Sequence, residues 1–204
     1  EDYIARVYSL PGKYGSIAKA YVERDEQTNP DSGTAEFNPL AINIYTLSYD
    51  ANKKLTQSNT ATKTNLKTYL QKFRILTDGI NLKNAFVINV GVKFDVIARP
   101  NTIAKEVLLK TIQETKKYFQ IDKWQINQPI SISDLAATLD QVEGVQTINN
   151  LTIFNLFDSD SGYSGNYYDI QEAIKNNIVY PSLDPSIFEV KYPDTDIEAR
   201  IIGA

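Results

Sequence analysis

The densest group of side chains able to do chemistry lies late in the chain, where Asp158, Asp160 and Asp169 fall within twelve residues. Carboxylates at alternate positions open calcium loops, and Asp158-Ser159-Asp160-Ser161-Gly162 resembles such an opening. The pattern then fails: the position that needs glycine is Tyr163, and the position that needs a bidentate glutamate is Asp169. An acidic, solvated loop is the better reading, and no metal or cofactor is assigned. Phe157, Tyr163, Tyr167 and Tyr168 crowd the same stretch. Large amphipathic rings in a polar loop are anchors for an interface with a partner. The competing reading packs them onto the protein's own sheet, and carbohydrate stacking is a third.

The remaining candidates for catalysis thin out quickly. The chain has no histidine and no cysteine, which removes Ser-His-Asp and Cys-His nucleophiles, histidine metal sites, disulfides and thiolate chemistry together. Paired carboxylates for glycoside hydrolysis must sit about 5–10 Å apart in a cleft, and spacing along the chain places no pair that way. Glu143 reads as the last turn of a helix, and Asp134 as a first-turn acid, where negative charge is favourable. The glycines of Pro11-Gly12-Lys13-Tyr14-Gly15 lack phosphate-loop spacing. Asn150-Leu151-Thr152 matches a glycosylation triplet but falls in an expected strand and is discounted. The expectation is a protein that is not an enzyme.

With 204 residues, 42% of them hydrophobic, the chain can bury a core in one or two domains. A net charge of −4 and the lack of a basic patch speak against a nucleic-acid partner. No apolar run approaches the roughly 20 residues of a membrane span, so no membrane partner is expected and the product reads as soluble. Methionine is absent as well, and a chain opening Glu1-Asp2-Tyr3 reads as a fragment of a longer protein.

These residues must be positioned by the elements before them. Residues 85–98 alternate as a strand, with Phe86, Ile88, Val90, Val92, Phe94 and Val96 on one face and Asn89, Gly91, Lys93 and Asp95 on the other. Only the first face needs covering. A helix over residues 102–120 gathers Ile103, Ala104, Val107, Leu108, Ile112, Tyr118 and Phe119 on one side, leaving Leu109 outside the stripe. Trp124 reads as a core residue. A second helix is capped by Ser133, carries Leu135, Leu139 and Val142, and ends at Gly144, after which residues 145–154 form a strand.

Upstream, the patterns predict a short helix over residues 2–9, a strand over 16–24 and a surface loop over 25–38. A strand over 40–49, a polar turn over 50–54 and a helix over 60–76 ended by Asp78-Gly79 follow. Downstream come a short helix over 170–176 and a strand over 187–191. The fold class is therefore α+β: a mixed β-sheet covered by amphipathic helices, with a small irregular C-terminal appendage. Residues 1–155 form the main domain, either one layer or two subdomains divided near Gly79, and residues 156–204 form the loop-rich appendage.

The run of strand, Arg99-Pro100, long helix, Tyr118-Phe119, Trp124, Ile130-Ser131-Ile132-Ser133-Asp134-Leu135 and Val142-Glu143-Gly144-Val145 resembles the baseplate J-like family of contractile phage tails and related injection machines. Leu10-Pro11-Gly12-Lys13-Tyr14-Gly15-Ser16-Ile17-Ala18-Lys19-Ala20 is similar to the start of the corresponding region in the large baseplate wedge subunit. Gly162 to Ile170, with Tyr180-Pro181-Ser182-Leu183-Asp184-Pro185 and the residues through Pro193, is similar to that subunit's C-terminal part. The resemblance implies a structural component of the virion's tail baseplate, assembled in the host cytoplasm. Its implied partners are other copies of itself, other baseplate wedge proteins and tail hub proteins, with no cofactor, in a ring that rearranges on sheath contraction. A self-complementary surface would serve such pairing. The alternative is a carbohydrate-binding or carboxylate-dependent hydrolase module of a phage tail.

Overall fold

The computed structural model describes residues 2–24, 41–73 and 79–202, which divide into two compact units, Glu1–Phe86 and Val87–Ala204. The loop expected over residues 25–38, with Leu76 and Asp78, lies outside the described residues.

The first unit runs α1 (Asp2–Tyr8), a single 3-10 turn at Gly12–Tyr14, β1 (Lys19–Arg24), β2 (Ala41–Tyr49), β3 (Leu55–Gln57), α2 (Thr60–Leu70) and β4 (Gly79–Asn84). β2 is central, antiparallel to β1 and β3 and parallel to β4. Val7, Leu10, Ala20, Ile44, Leu66, Leu70 and Ile80 make the core between sheet and helices. α2 starts where Asn59 accepts a 2.7 Å hydrogen bond from the Thr62 amide, satisfying one free donor of the first turn. It stops at Leu70, short of the expected residue 76, so Phe73 leaves the apolar face, is 42% exposed and lies under the Arg6 guanidinium at 4.5 Å. At Gly15, φ is +116° and an added Cβ would stand 2.5 Å from Thr62 Oγ1, so the turn before β1 requires glycine. β3 and β4 are additions to the expected order; each is short, and neither alternates strongly.

The second unit is built on β5 (Phe86–Ala98). It continues with α3 (Ala104–Tyr118), β6 (Ile130–Ser131), α4 (Ile132–Asp140), β7 (Val145–Asn155), α5 (Ile170–Ala173), β8 (Ile174–Lys175), β9 (Ile178–Val179), β10 (Ser186–Glu189) and β11 (Ile197–Ile201). β5 pairs antiparallel with β7, parallel with β11, and also with β10; β6, β9 and β8 form a second small sheet. Mixed sheets with helices are an α+β fold, as the patterning predicts. Residues beyond 155 return β10 and β11 to the β5 sheet and so belong to the same compact unit.

Ile88, Val90, Val92, Phe94 and Val96 are buried as expected, whereas Phe86, the first residue of the strand, is 42% exposed. The opposite face departs from expectation. Asn89 and Asp95 are fully buried rather than solvated, and Gly91 is buried beneath the Phe154 ring, so this face is covered too except at Lys93, which stays exposed. Helix α3 buries Val107, Thr111 and Thr115, a seam at i, i+4, i+8, with Ile103 and Leu109 exposed. The threonines can be buried because each hydroxyl donates to the carbonyl four residues back, at 2.7 Å and 2.9 Å. Trp124 is buried and stacked on Phe119 at 5.6 Å and 5°, its indole N–H donating to the Tyr118 carbonyl.

Two helix boundaries move. The cap of α4 is Ser131, accepting from the Asp134 amide at 3.1 Å, not Ser133, because β6 ends directly at the helix. Gln141 closes α4, and Gly144, at φ +89°, forms the turn into β7 instead. The helix expected over residues 170–176 ends after four residues. Asn176 and Asn177 both adopt positive φ, 53° and 60°, and make the two-residue turn of the β8–β9 hairpin.

Candidate interaction surface

The loop of residues 156–169 is held by three asparagines from different places in the sequence. Asn89, in the first third of β5, accepts from the Ser164 amide at 2.8 Å and donates to Glu189 of β10 at 2.9 Å. Its carbonyl receives the Leu156 amide and the Asn155 side chain at 2.9 and 3.0 Å. Asn155, where β7 ends, accepts from the Tyr168 amide at 2.9 Å, and Asn166 donates to the Val87 carbonyl at 2.8 Å. Side-chain amides thus replace ladder pairing where the chain leaves the sheet, and they fix both ends of the loop.

The four aromatic candidates divide into two kinds. Tyr163 turns inward: its hydroxyl donates to Asp196 at 2.7 Å and its ring meets Tyr192 edge-on at 5.5 Å. Burial, reinforced by that carboxylate, pushes its pKa up to about 12. Tyr168 is half-buried, donates to the Tyr180 carbonyl at 2.7 Å and packs near Phe188 at 6.2 Å; burial raises its pKa. Phe157 and Tyr167 turn outward, 49% and 67% exposed, and touch each other edge-on at 5.2 Å. The loop therefore presents one exposed aromatic pair on a hydrogen-bonded base.

The acidic residues serve the loop itself. Asp158 accepts from the Ser161 hydroxyl and from the Asp160 amide, and these bonds hold its carboxyl below the usual range. Asp169 caps α5 through the amides of Gln171 and Glu172. Among the described residues no three acidic side chains converge as metal ligands would. Lys191 reaches the loop and donates to the Gly162 carbonyl at 2.6 Å.

Other candidates also have structural duties. Glu143 is an exposed partner of Lys110 at 2.7 Å, which lowers its pKa and raises that of the lysine. The pair spans a shallow groove of about 510 Å³ between α3 and α4, lined also by Gln113, Lys117 and Thr138. Asn150 of the discounted triplet sits at a β-bulge with φ +50° and donates to buried Asp95 at 2.7 Å. Sequence reasoning missed Asn89 and Asp95 as organising residues. The available signal was a pair of polar side chains at strand positions flanked by apolar ones, where burial demands a partner.

No family model and no curated protein matches the sequence. Among solved structures, a chain of the anti-feeding prophage (AFP) baseplate, 6-fold symmetrised, matches all of this chain with a TM-score of 0.52 at 11% identity. This chain spans 37% of the length of that one. The two share a fold.

Proposed function

We propose that this chain is a structural domain of a contractile-tail baseplate, the C-terminal part of a wedge subunit, that joins copies of itself and other wedge proteins into the ring around the tail hub. It is assigned a place in the virion tail, assembled in the host cytoplasm, and no catalytic role. The observation that carries the reading is the fold likeness over the whole chain to a baseplate protein. The exposed Phe157–Tyr167 pair supports it, because an aromatic contact held in place before binding loses less conformational entropy on docking. Co-expression of the full-length protein with the neighbouring tail genes tests the reading. The expected result is a particle in which cryo-electron microscopy locates this domain at the baseplate. Particles that assemble without it, or a purified domain that degrades cell-wall glycan, would contradict it.

A further inference from the structure

Charge is divided unevenly along the chain. Between residues 41 and 73, Lys53, Lys54, Lys63, Lys67 and Lys72 accompany a single carboxylate, Asp50, which accepts from the Asn52 and Lys54 amides of its own turn. On α2 Lys67 lies on the flank away from Asn65 and Tyr69, and Lys72 follows just beyond the helix end. Beside it, Tyr14, Asn65, Thr68, Tyr69 and Lys72 line a cleft of about 140 Å³. Asn65 fixes one wall by donating to the Tyr14 carbonyl at 3.0 Å, and the Lys13 ammonium lies 4.8 Å from the Tyr14 ring. The cleft is well under the roughly 300 Å³ at which small-molecule sites begin, and a single side chain suits it better.

The loop of the second unit has the opposite character. From Phe157 to Glu172 there are four carboxylates and no lysine or arginine, and within this stretch Phe157 and Tyr167 stand exposed. We propose that the aromatic loop of one copy docks on the α2 cleft of a second copy, with the Tyr167 ring between Tyr14 and Tyr69 and Asp160 facing Lys13 and Lys72. The inference rests on the structural reading above and names one partner for that surface. The aromatic ring supplies the buried anchor, while the rim charges set register and association rate. Two different patches meet, so the contact is heterologous and propagates as a ring where the rotation closes.

Sedimentation of the chain over a concentration series, at about 50 and about 500 mM salt, tests this. Self-association is expected to weaken about ten-fold or more in the higher salt, where the Debye length shortens to a few ångströms. Lys13→Glu with Lys72→Glu should weaken it comparably, as should Asp160→Lys, all at exposed positions that leave circular dichroism unchanged. Mixing the lysine-reversed chain with Asp160→Lys should restore contacts that neither makes alone, since the intact loop of the first meets the intact cleft of the second and the reversed cleft meets the reversed loop. A chain that stays monomeric at high concentration, self-association indifferent to these reversals, or a mixture that restores nothing would overturn the inference. Each of those results leaves the baseplate reading to its own test of incorporation with other tail proteins.

Discussion

Asp95 and Arg200 stand directly opposite each other in the parallel pairing of β5 with β11, and the guanidinium grips both carboxylate oxygens, Nη2 at 3.2 Å from Oδ2. Asp95 is buried while Arg200 stays largely exposed, so the arginine reaches in from the surface to hold the last strand to the central one. Arg200, then Asn150, hold the Asp95 carboxyl below its usual range. A lowered folded pKa means that the contact stabilises the fold above the unfolded value of about 3.9 and loses that contribution as pH falls through the depressed folded value. Arg200→Gln should therefore destabilise at neutral pH and flatten the acid limb of a stability-versus-pH profile. A wild-type acid limb in the variant would remove the pair from this role.

Tyr163 acts at the opposite extreme of pH. Its pKa is raised to about 12 by burial and by Asp196. Its contribution is complete below the unfolded value of about 10 and is lost as pH rises through about 12. Burial also raises the pKa of Tyr118 and Tyr168, so titration of phenolate absorbance should show several tyrosines ionising late, and Tyr163→Phe should take one of these late steps away together with its share of the loss of structure.

Gly91 is required by a close approach, not by backbone freedom. A methyl group there would enter the Phe154 ring. Gly91→Ala is expected to cost about 1–3 kcal/mol by overpacking, and combining it with Phe154→Leu should recover part of that loss. Chemical denaturation of the single and double variants measures both.

The aromatic loop yields a contrast between adjacent residues. Tyr168→Ala removes a half-buried ring and its bond to Tyr180, and should lower stability by about 1–3 kcal/mol. Tyr167→Ala removes an exposed ring and should change stability by less than about 0.5 kcal/mol. Thermal unfolding of the two variants separates them; equal losses would place Tyr167 in the folding core.

The order of strand, long helix, short helix and strand between residues 86 and 154 was legible because periodicities of two and 3.6 are local properties. The seam of α3 was partly hidden, since Thr111 and Thr115 count as polar until their hydroxyls are seen bonding their own helix. The β8–β9 hairpin had a readable signal in Asn176-Asn177, but helical spacing around it competed. The three-asparagine base of the loop was not readable. Asn89 finds Asn155, Ser164 and Glu189 at separations of 66, 75 and 100 residues, and no local pattern encodes such partners. For the same reason Tyr163 and Tyr167 look alike in sequence and lie on opposite sides of the loop.

Whether the exposed aromatic pair joins this domain to a baseplate is decided by an assembly assay with the Phe157→Ala/Tyr167→Ala double variant of the full-length protein. The variant should fold with wild-type thermal stability yet fail to enter sedimenting baseplate particles. Incorporation at the wild-type level would contradict the assignment of this loop as the contact that joins the domain to its assembly.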